Sequence, residues 1–344
     1  MKKNDFSIGS VIADVNKKFG KDKAGLASEQ KILPACMGGV STQCVALDIA
    51  IGRTGIPLGR LTEISGLESH GKSTLGAHIL AEAQRRGGLA ILVDTEKAYE
   101  QERARVFGID TDSLVVLNPE HMEEALQMIN DVVKAIPEGV GPTVVVWDSV
   151  AGTPAMAEVE GKFDDRTVGI HARILALGMR KLVPVIAEKQ VAFVCINQLR
   201  DNIGKYGHAP DYKTFGGHAM RFHATLQIRV KRIGVEKKGT KPIAIQCRAK
   251  LEKNKVGAPL READFLIDFE KGLDKSRDLM DQAIEFGLLK EGHGTILHDG
   301  VSYRASDFST IVLPLLGGAG RLRKRILQQA YKAKLIKPYA KKAG

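Results

Sequence analysis

The chain has 344 residues, of which 44% are hydrophobic and 26% charged, and this composition is typical of an ordinary folded protein. Its formal net charge of +11 favours a polyanionic partner but says nothing about the fold. No stretch approaches the roughly 18 consecutive apolar residues of a membrane span, and no apolar signal sequence follows the first lysines, so no membrane association is expected. The four cysteines form no CxxC pair and the nine histidines form no zinc-binding cluster, which indicates a reducing, cytoplasmic location.

Three regions follow one another along the chain. Residues 1–34 are polar with one amphipathic stretch, which predicts a short N-terminal helix and a tether. Residues 35–270 alternate near-continuous apolar runs with helical periodicity, which is typical of an α/β core with a mostly parallel sheet flanked by helices. Residues 271–344 change to short helices and turns, which predicts a small basic C-terminal α+β domain. Within the core, residues 200–218 lack periodicity and predict a long functional loop. The predicted strands are 60–65, 89–93, 143–147 and 191–196, and the predicted helices end at Arg86 or span 120–136 and 168–188.

A complete phosphate-binding motif occupies Gly66–Ser73. The sequence GLESHGKS matches G-x-x-x-x-G-K-[ST] and stands between a predicted strand and a predicted helix. In such a loop the glycines let backbone N–H groups surround the phosphates, and the following helix directs its positive end at them. Lys72 adds a charge, and the Ser73 hydroxyl can bind Mg²⁺. A nucleotide is therefore the predicted ligand. The residues expected to contact it are Gly66, Glu68, Ser69, His70, Gly71, Lys72, Ser73 and Thr74.

Acidic residues end two of the predicted strands. Asp148 closes the apolar run TVVVW, where a carboxylate reaches the edge of the sheet beside the phosphate loop and can hold Mg²⁺ through water. A turn-forming or helix-capping role is the alternative for Asp148. Glu96 follows the strand after the phosphate-loop helix, and a carboxylate there can act as the general base that activates the attacking water. Asp94, two residues earlier, is the rival candidate for the base.

Several further motifs resemble those of bacterial RecA recombinases, in the same order and at similar spacing. They are LVDTEKA, VVVWDSVAG, EVEGKFDD with HARILALGMRKL, INQLR, FGGHAMRFHA and KNKVGAPL, and with the phosphate loop they cover roughly residues 40–270. The resemblance implies the RecA core fold, ATP and Mg²⁺ binding, and a homo-oligomeric helical filament on single-stranded DNA. It also implies homologous pairing with double-stranded DNA and a role for the N-terminal helix and tether in oligomerisation.

The resemblance assigns roles at the nucleotide to five residues. Lys72 contacts the phosphates, and Ser73 with Asp148 holds Mg²⁺. Glu96 becomes the catalytic base. Gln198, in INQLR, resembles the residue that senses the γ-phosphate and relays its presence into the following loop.

Other matching positions concern the neighbouring subunit and the base. Lys253 and Lys255, in KNK, resemble the pair that reaches the ATP of the adjacent subunit. Phe222 resembles an inter-subunit contact. Taken alone, the lysines also fit a solvated surface and the phenylalanine fits a core aromatic. Arg103 stands where a tyrosine stacks on adenine in RecA proteins, and a guanidinium plane can stack there too.

Two polar segments, 161–168 and 199–215, resemble the DNA-contacting loops of RecA proteins. Tyr206, Tyr212 and Phe215 interleave with the positive charge of the second segment, as expected for stacking on single-stranded bases. The paired glycines that follow resemble the hinge at which this segment re-enters the core. The residues expected at the DNA are Arg173, Arg180, Arg200, Lys205, Lys213, Gly216 and Gly217.

Two other functions share part of this pattern. A ring-forming helicase of the RecA fold would keep the phosphate loop and both acids, but KNK and the INQLR–FGG segment disfavour it. A DNA-binding mediator that holds ATP as a structural ligand would not need Glu96.

The basic C-terminal segment departs from the family pattern. No Asp or Glu follows Asp307, while nine Lys or Arg lie between Arg321 and Lys342. This excess predicts electrostatic capture of duplex DNA, and a terminal helix docked on its own domain is the alternative. The divergence would fit a phage-encoded relative.

Overall fold

Helices and strands alternate through most of the chain in the computed structural model, which describes residues 7–21, 23–26, 38–161, 169–201, 212–216 and 218–337. The helices are α1 (Ile8–Phe19), α2 (Val45–Ile51), α3 (Lys72–Arg85), α4 (Gln101–Val106), α5 (Met122–Ala135), α6 (Met156–Glu160), α7 (Ile170–Glu188), α8 (His218–His223), α9 (Lys275–Glu285), α10 (Leu313–Leu315) and α11 (Gly318–Lys332). The strands are β1 (Gly39–Val40), β2 (Ile56–Pro57), β3 (Arg60–Gly66), β4 (Ala90–Asp94), β5 (Leu114–Leu117), β6 (Val144–Asp148), β7 (Ala192–Asp201), β8 (Tyr212–Thr214), β9 (Leu226–Lys238), β10 (Lys241–Asn254), β11 (Glu262–Asp268), β12 (Gly272–Leu273), β13 (Lys290–Glu291), β14 (Thr295–His298) and β15 (Val301–Arg304).

Among the residues that the structure describes, one ten-stranded sheet organises the core. Its strands lie in the order β12-β11-β10-β9-β3-β7-β6-β4-β5, and β8 pairs with β7. The pairings from β9 to β5 are parallel, whereas β9 to β12 form an antiparallel extension. Apolar layers cover both faces: α3 packs on one, and α5 and α7 pack on the other. The predicted α/β fold with a mostly parallel, helix-flanked sheet is confirmed.

The parallel register brings the ends of β3, β4 and β6 level with Gln198 of β7 at one edge of the sheet. Gly66, at the end of β3, lies opposite Gln198 of β7. Asp94, at the end of β4, lies opposite Asp148, at the end of β6. Because β6 and β7 are neighbours, the predicted nucleotide-binding residues meet at this edge.

Helix α3 begins directly after the phosphate loop. Gly71 is its N-cap residue and has a left-handed conformation (φ 85°), which an L side chain adopts only with strain. Leu75 and Ile79 are fully buried, as their spacing predicts. The helix ends at Arg85, and the positive φ of Gly87 (71°) turns the chain away from the helix axis.

The C-terminal region has a separate apolar core built from α9, α11 and the three-stranded sheet β13-β14-β15. Val45 and Ile49 of α2 belong to this core as well. Asp278 of α9 accepts hydrogen bonds from the backbone N–H groups of Val45 (2.5 Å) and Ala46 (3.1 Å), which caps the start of α2. The domain boundary at residue 271 stays a prediction, and α2 ties the region before it to the region after it.

Part of the stretch predicted to be irregular is regular structure. Strand β7 continues to Asp201 and pairs antiparallel with β8. Helix α8 then begins at His218. The three residues of β8 are too few to show an alternating pattern in the sequence, so the expectation of a single irregular loop over 200–218 was wrong for these parts.

Helix α1 forms over the amphipathic stretch at the N-terminus, as predicted. None of its residues is buried, and its apolar residues Ile8, Val11 and Phe19 are exposed. Across the described residues, no helix combines the length and apolar character required to cross a bilayer.

Candidate active site

The phosphate loop has a backbone path that depends on its glycines. A Cβ atom at Gly66 would overlap the Val230 carbonyl oxygen, and one at Gly71 would overlap the Ile267 side chain. Ser69 also has a positive φ, of 57°. The loop therefore passes close to β9 and β11 on one side, and its small residues permit the tight curvature that surrounds a phosphate group.

Lys72 places a buried charge inside this loop. Its side chain is mostly buried, and Nζ donates a hydrogen bond to the Leu67 carbonyl oxygen at 2.7 Å. Burial lowers the pKa of the ammonium group, and the negative charges of Asp148, Glu96 and Glu68 oppose that effect. The charge consequently lies among carboxylates that share the same edge of the sheet.

Ser73 and Asp148 form a pair of oxygen donors beside Lys72. Burial raises the pKa of Asp148 to about 6, and a hydrogen bond from Ser73 acts in the opposite direction. Asp148 caps no helix, because the next described helix begins at Met156. Within the described residues no group of three or more His, Cys, Asp and Glu side chains could hold a metal. Two oxygens suit Mg²⁺, which usually takes few protein ligands and completes its shell with phosphate oxygens and water.

Glu96 lies next to the proposed γ-phosphate sensor. Its Oε1 accepts a hydrogen bond from the Ser149 hydroxyl at 2.5 Å and from Nε2 of Gln198 at 3.3 Å. Asp94 instead accepts hydrogen bonds from the backbone N–H groups of Ala98 (3.2 Å) and Tyr99 (3.0 Å). The carboxylate of Asp94 therefore holds the local turn, whereas that of Glu96 is presented toward Gln198.

A cavity of about 210 Å³ lies beside the phosphate loop, and Ser73, Thr74 and Arg103 are among its lining residues. The Arg103 guanidinium donates a hydrogen bond to the Phe269 carbonyl oxygen at 3.1 Å and lies 5.0 Å from the centre of the Phe107 ring. The sequence-based interpretation missed Phe107 and Tyr99, which also line this cavity, and Phe269, whose carbonyl oxygen Arg103 contacts. The only available signal was an aromatic residue near Arg103 in the sequence.

Lys253 and Lys255 lie far from the phosphate loop of their own chain. The backbone N–H of Lys255 donates to the Thr225 carbonyl oxygen, and the Thr225 N–H donates to the Leu61 carbonyl oxygen near the start of β3. The phosphate loop follows the opposite end of that strand. Lys253 Nζ donates to the carbonyl oxygens at the end of α8, those of Arg221 and Phe222. The structure therefore separates these lysines from the other predicted catalytic residues.

Phe222 is 75% exposed. The alternative interpretation, in which this aromatic belongs to the core, was wrong: the residue sits at the surface end of α8, beside the carbonyl group that Lys253 binds.

The predicted DNA-binding residues fall into three groups. Arg173 and Arg180 are both exposed on α7, seven residues apart, so they share one face about 10 Å apart. Arg180, Lys253 and Lys255 all lower the pKa of His223, after the larger effect of burial, which places these cations close together. Arg200 and Lys213 are paired across β7 and β8. Lys205, Gly217 and residues 162–168 lie outside the described residues.

The chain re-enters the core at Phe215 and Gly216. Gly216 is buried with a φ of 79°, and a Cβ there would overlap the Leu175 side chain, so the predicted hinge position requires glycine. The Phe215 ring packs edge-on against the His171 ring, with centroids 4.7 Å apart. The Phe215 ring is therefore half-buried against the core, and its stacking on DNA bases stays a prediction.

Comparison with known proteins identifies the family. The family model of the RecA N-terminal domain matches residues 7–274. Protein RecA of Salinispora tropica is 36% identical over 294 residues, which cover 86% of this chain and 82% of the relative. Protein RecA of Nitratiruptor sp. is 37% identical over 283 residues, covering 82% and 80% of the two chains. Protein RecA of Chlorobaculum parvum is 39% identical over 285 residues, covering 83% and 80%.

The chain belongs to the RecA family. It is therefore a DNA-dependent, ATP-hydrolysing recombinase that forms filaments and promotes strand exchange, as the motifs predicted. RecA membership also implies ATP with Mg²⁺ as ligands, and DNA and further copies of the chain as partners.

Proposed function

We propose that this member of the RecA family hydrolyses ATP in the site formed by the phosphate loop, the ends of β4 and β6, and Gln198 of β7. We also propose that single-stranded DNA bound in the same filament controls hydrolysis. The hydrogen bond between Glu96 and Gln198 carries the proposal. It places a candidate base and a candidate γ-phosphate sensor in contact at the edge where Lys72 and Asp148 also lie.

The proposed chemistry assigns one task to each side chain. The phosphate loop and Lys72 hold the β- and γ-phosphates. Ser73 and Asp148 would hold Mg²⁺, which would neutralise charge on those phosphates when bound. Glu96 accepts a proton from the water that attacks the γ-phosphorus. Gln198 then changes partners between Glu96 and the γ-phosphate. The 3.3 Å distance between Nε2 of Gln198 and Oε1 of Glu96 supports this exchange, because a long hydrogen bond is weak and can be replaced by a shorter one.

The site is proposed to be completed by a neighbouring subunit. Lys253 and Lys255 are separated from the phosphate loop of their own chain by most of the length of β3. Their clustering with Arg180 produces a region of like charge, which is stabilised by an anion from outside the subunit. The phosphates of an adjacent ATP supply that charge, and the exposed Phe222 provides an apolar contact at the same surface.

Single-stranded DNA is proposed to bind along α7 and the β7–β8 hairpin. Arg173 and Arg180 on α7 neutralise phosphates of the strand, and Arg200, Lys205 and Lys213 do the same from the hairpin and the segment it bounds. Gly216 and Gly217 supply the hinge at its end. The hairpin begins next to Gln198, so this arrangement supports communication between DNA and the γ-phosphate.

Steady-state ATP turnover with and without single-stranded DNA tests the proposal. The wild-type chain is expected to show stimulation, and Glu96→Gln to reduce turnover by about 10²–10⁴-fold while ATP still binds, since the amide cannot accept the proton. Asp94→Asn is the matched control and should retain most turnover. A larger loss in Asp94→Asn than in Glu96→Gln would assign the base to Asp94.

Electron microscopy of the same samples separates the rival assemblies. Open helical filaments on single-stranded DNA are expected with ATP. Closed six-membered rings would instead indicate a helicase-like motor, and filaments without any ATP turnover would indicate a DNA-binding mediator.

A further inference from the structure

A buried polar network crosses three adjacent strands on the face of the sheet that α5 and α7 cover. Glu63 of β3 is 1% exposed, and its two carboxylate oxygens accept hydrogen bonds from Nδ2 of Asn197 (2.8 Å) and Nε2 of Gln227 (2.6 Å). Asn197 belongs to β7 and Gln227 to β9, the two strands that flank β3. Burial raises the pKa of Glu63, and both amide hydrogen bonds oppose that effect by favouring the ionised form.

The Asn197 amide has a fixed orientation. Its Oδ1 accepts a hydrogen bond from the backbone N–H of Gln198 at 2.9 Å. Its Nδ2 donates one hydrogen to Glu63 and the other to the Phe215 carbonyl oxygen at 2.9 Å. Because a backbone donor and a backbone acceptor specify the two ends of the amide, a flipped amide would break both of these hydrogen bonds. Glu63 must therefore act as the acceptor.

The Asn197 amide contacts the backbone of Gln198, the proposed γ-phosphate sensor, whose side chain lies on the opposite face of the sheet. Successive side chains of a strand point to opposite faces, so Asn197 lies on the α7 side and Gln198 on the phosphate-loop side. The backbone N–H of Phe215 also donates to the Gln198 carbonyl oxygen, at 3.4 Å. Phe215 follows β8 directly, so these two hydrogen bonds fasten the returning chain beside the proposed sensor.

We propose that Glu63 is a positioning residue: by holding the Asn197 amide, it fixes the place where the chain returns from the proposed DNA-binding hairpin to Gln198, and so couples single-stranded DNA to ATP turnover. Glu63 touches neither ATP nor DNA in this scheme. Removing this carboxylate would leave two buried amide donors without an acceptor, so the orientation that Glu63 imposes on them is the property that distinguishes it. The inference rests on the function proposed above.

Two substitutions separate orientation from packing. Glu63→Leu removes both acceptor oxygens and fills the buried position with an apolar side chain of similar size. Glu63→Gln is the matched control. Its carbonyl oxygen can accept from Asn197, and its NH₂ group can donate to the Gln227 carbonyl oxygen once the Gln227 amide has turned by 180°. Each protein is assayed for the ratio of ATP turnover with saturating oligo(dT) to turnover without DNA, for ATP affinity, and for hydrogen exchange of residues 212–216 without DNA.

Glu63→Leu is expected to lower the stimulation ratio roughly 3- to 30-fold, the usual range for a coupling residue, with ATP affinity retained. Exchange at residues 212–216 should accelerate by about 2- to 10-fold, as expected when one buried hydrogen bond is removed. Glu63→Gln should resemble the wild type in all three measurements. If Glu63→Leu does not fold, Asn197→Ala cuts the same connection from β7 and should reproduce these changes.

The inference is overturned by a folded Glu63→Leu protein with wild-type stimulation and exchange, or by equal losses in the Leu and Gln variants, which would make charge rather than orientation responsible. A wild-type chain that DNA does not stimulate would instead refute the proposed function. The exchange measurement distinguishes these failures, because it reports the anchoring of Phe215 without depending on DNA binding or ATP turnover.

Discussion

His78 links the phosphate-loop helix to two distant parts of the chain, and it should make stability depend on pH. In α3, its Nε2 accepts a hydrogen bond from the backbone N–H of Leu273 at 3.0 Å, and its Nδ1 lies 3.3 Å from Oε1 of Gln43. The ring packs 5.2 Å from that of Phe107. An Nε2 that accepts cannot carry a proton, so the native structure requires the neutral ring. Burial, with a smaller effect from Lys275, lowers the pKa of His78 to about 3.

The size of the effect follows from the pKa difference between the folded and unfolded states. The unfolded ring has a pKa of 6.5, so between pH 6.5 and pH 3 the unfolded chain binds a proton at His78 that the folded chain does not bind. The free energy of unfolding therefore falls as the pH drops from 6.5 toward 3, by about 1.4 kcal/mol for each pH unit. Between pH 7.5 and pH 5.0 the expected loss from His78 alone is about 2 kcal/mol.

Urea unfolding at pH 7.5 and 5.0, for the wild type and His78→Gln, measures this contribution. The glutamine carbonyl oxygen can accept from Leu273 but does not titrate. Carboxylates that affect both proteins cancel in the comparison, so the wild type should lose about 2 kcal/mol more than the variant over this interval. Equal losses of unfolding free energy in the two proteins would show that His78 is not held neutral in the folded state.

The remaining predictions concern the proposed nucleotide site and the basic C-terminal helix. Lys253→Ala and Lys72→Ala proteins, each inactive alone, should recover ATP turnover when mixed, because some interfaces then contain two intact halves; no recovery in proven mixed filaments would contradict a shared site. Arg103→Tyr should retain ATP affinity and Arg103→Ala should weaken it by about 0.5–2 kcal/mol, measured by equilibrium titration, if the guanidinium stacks on adenine; equal affinities in all three proteins would show that another group holds the base. Lys324 and Lys332 are both exposed and should contribute to duplex capture. Replacing both with glutamate should reduce the slope of log affinity against log salt by about 0.9 for each DNA phosphate that the protein no longer neutralises. An unchanged slope would show that these lysines are only solubilising charges.

Much of the nucleotide site could be predicted because short segments and strand order determine it. The glycines of the phosphate loop are close in sequence to Lys72 and Ser73, and parallel strands bring residues at their carboxyl ends together. Asp148 and Gln198 could therefore be placed at one edge from the sequence alone. The residues alone left Glu96 and Asp94 as rivals for the base, and only the family resemblance favoured Glu96. Local sequence does not reveal which carboxylate the nearby backbone N–H groups engage.

Contacts between distant segments could not be predicted. Glu63 looks like an ordinary polar residue within a strand, and only the neighbouring positions of β7 and β9 reveal its two amide partners. Asp278 caps a helix more than 230 residues earlier in the chain. Val45 likewise reads as part of the core domain, although its side chain packs with the C-terminal helices. In each case tertiary packing determines the partner, and local sequence periodicity does not predict it.

Arg323 shows how this limit affects a functional interpretation. It lies among the basic residues expected to capture duplex DNA, yet its guanidinium donates to the fully buried carboxylate of Asp48 at 2.6 Å and to the Ser41 hydroxyl at 2.9 Å. Removing one partner of a fully buried ion pair costs about 3–5 kcal/mol. The cost is smaller here because the Arg323 side chain is 28% exposed, but the carboxylate of Asp48 would still be left buried and uncompensated. Reversal of Arg323 to glutamate would also place two carboxylates together where α11 meets α2. A loss of DNA binding in such a variant would therefore report a displaced C-terminal domain, and only exposed positions such as Lys324 and Lys332 can report a direct interaction with DNA.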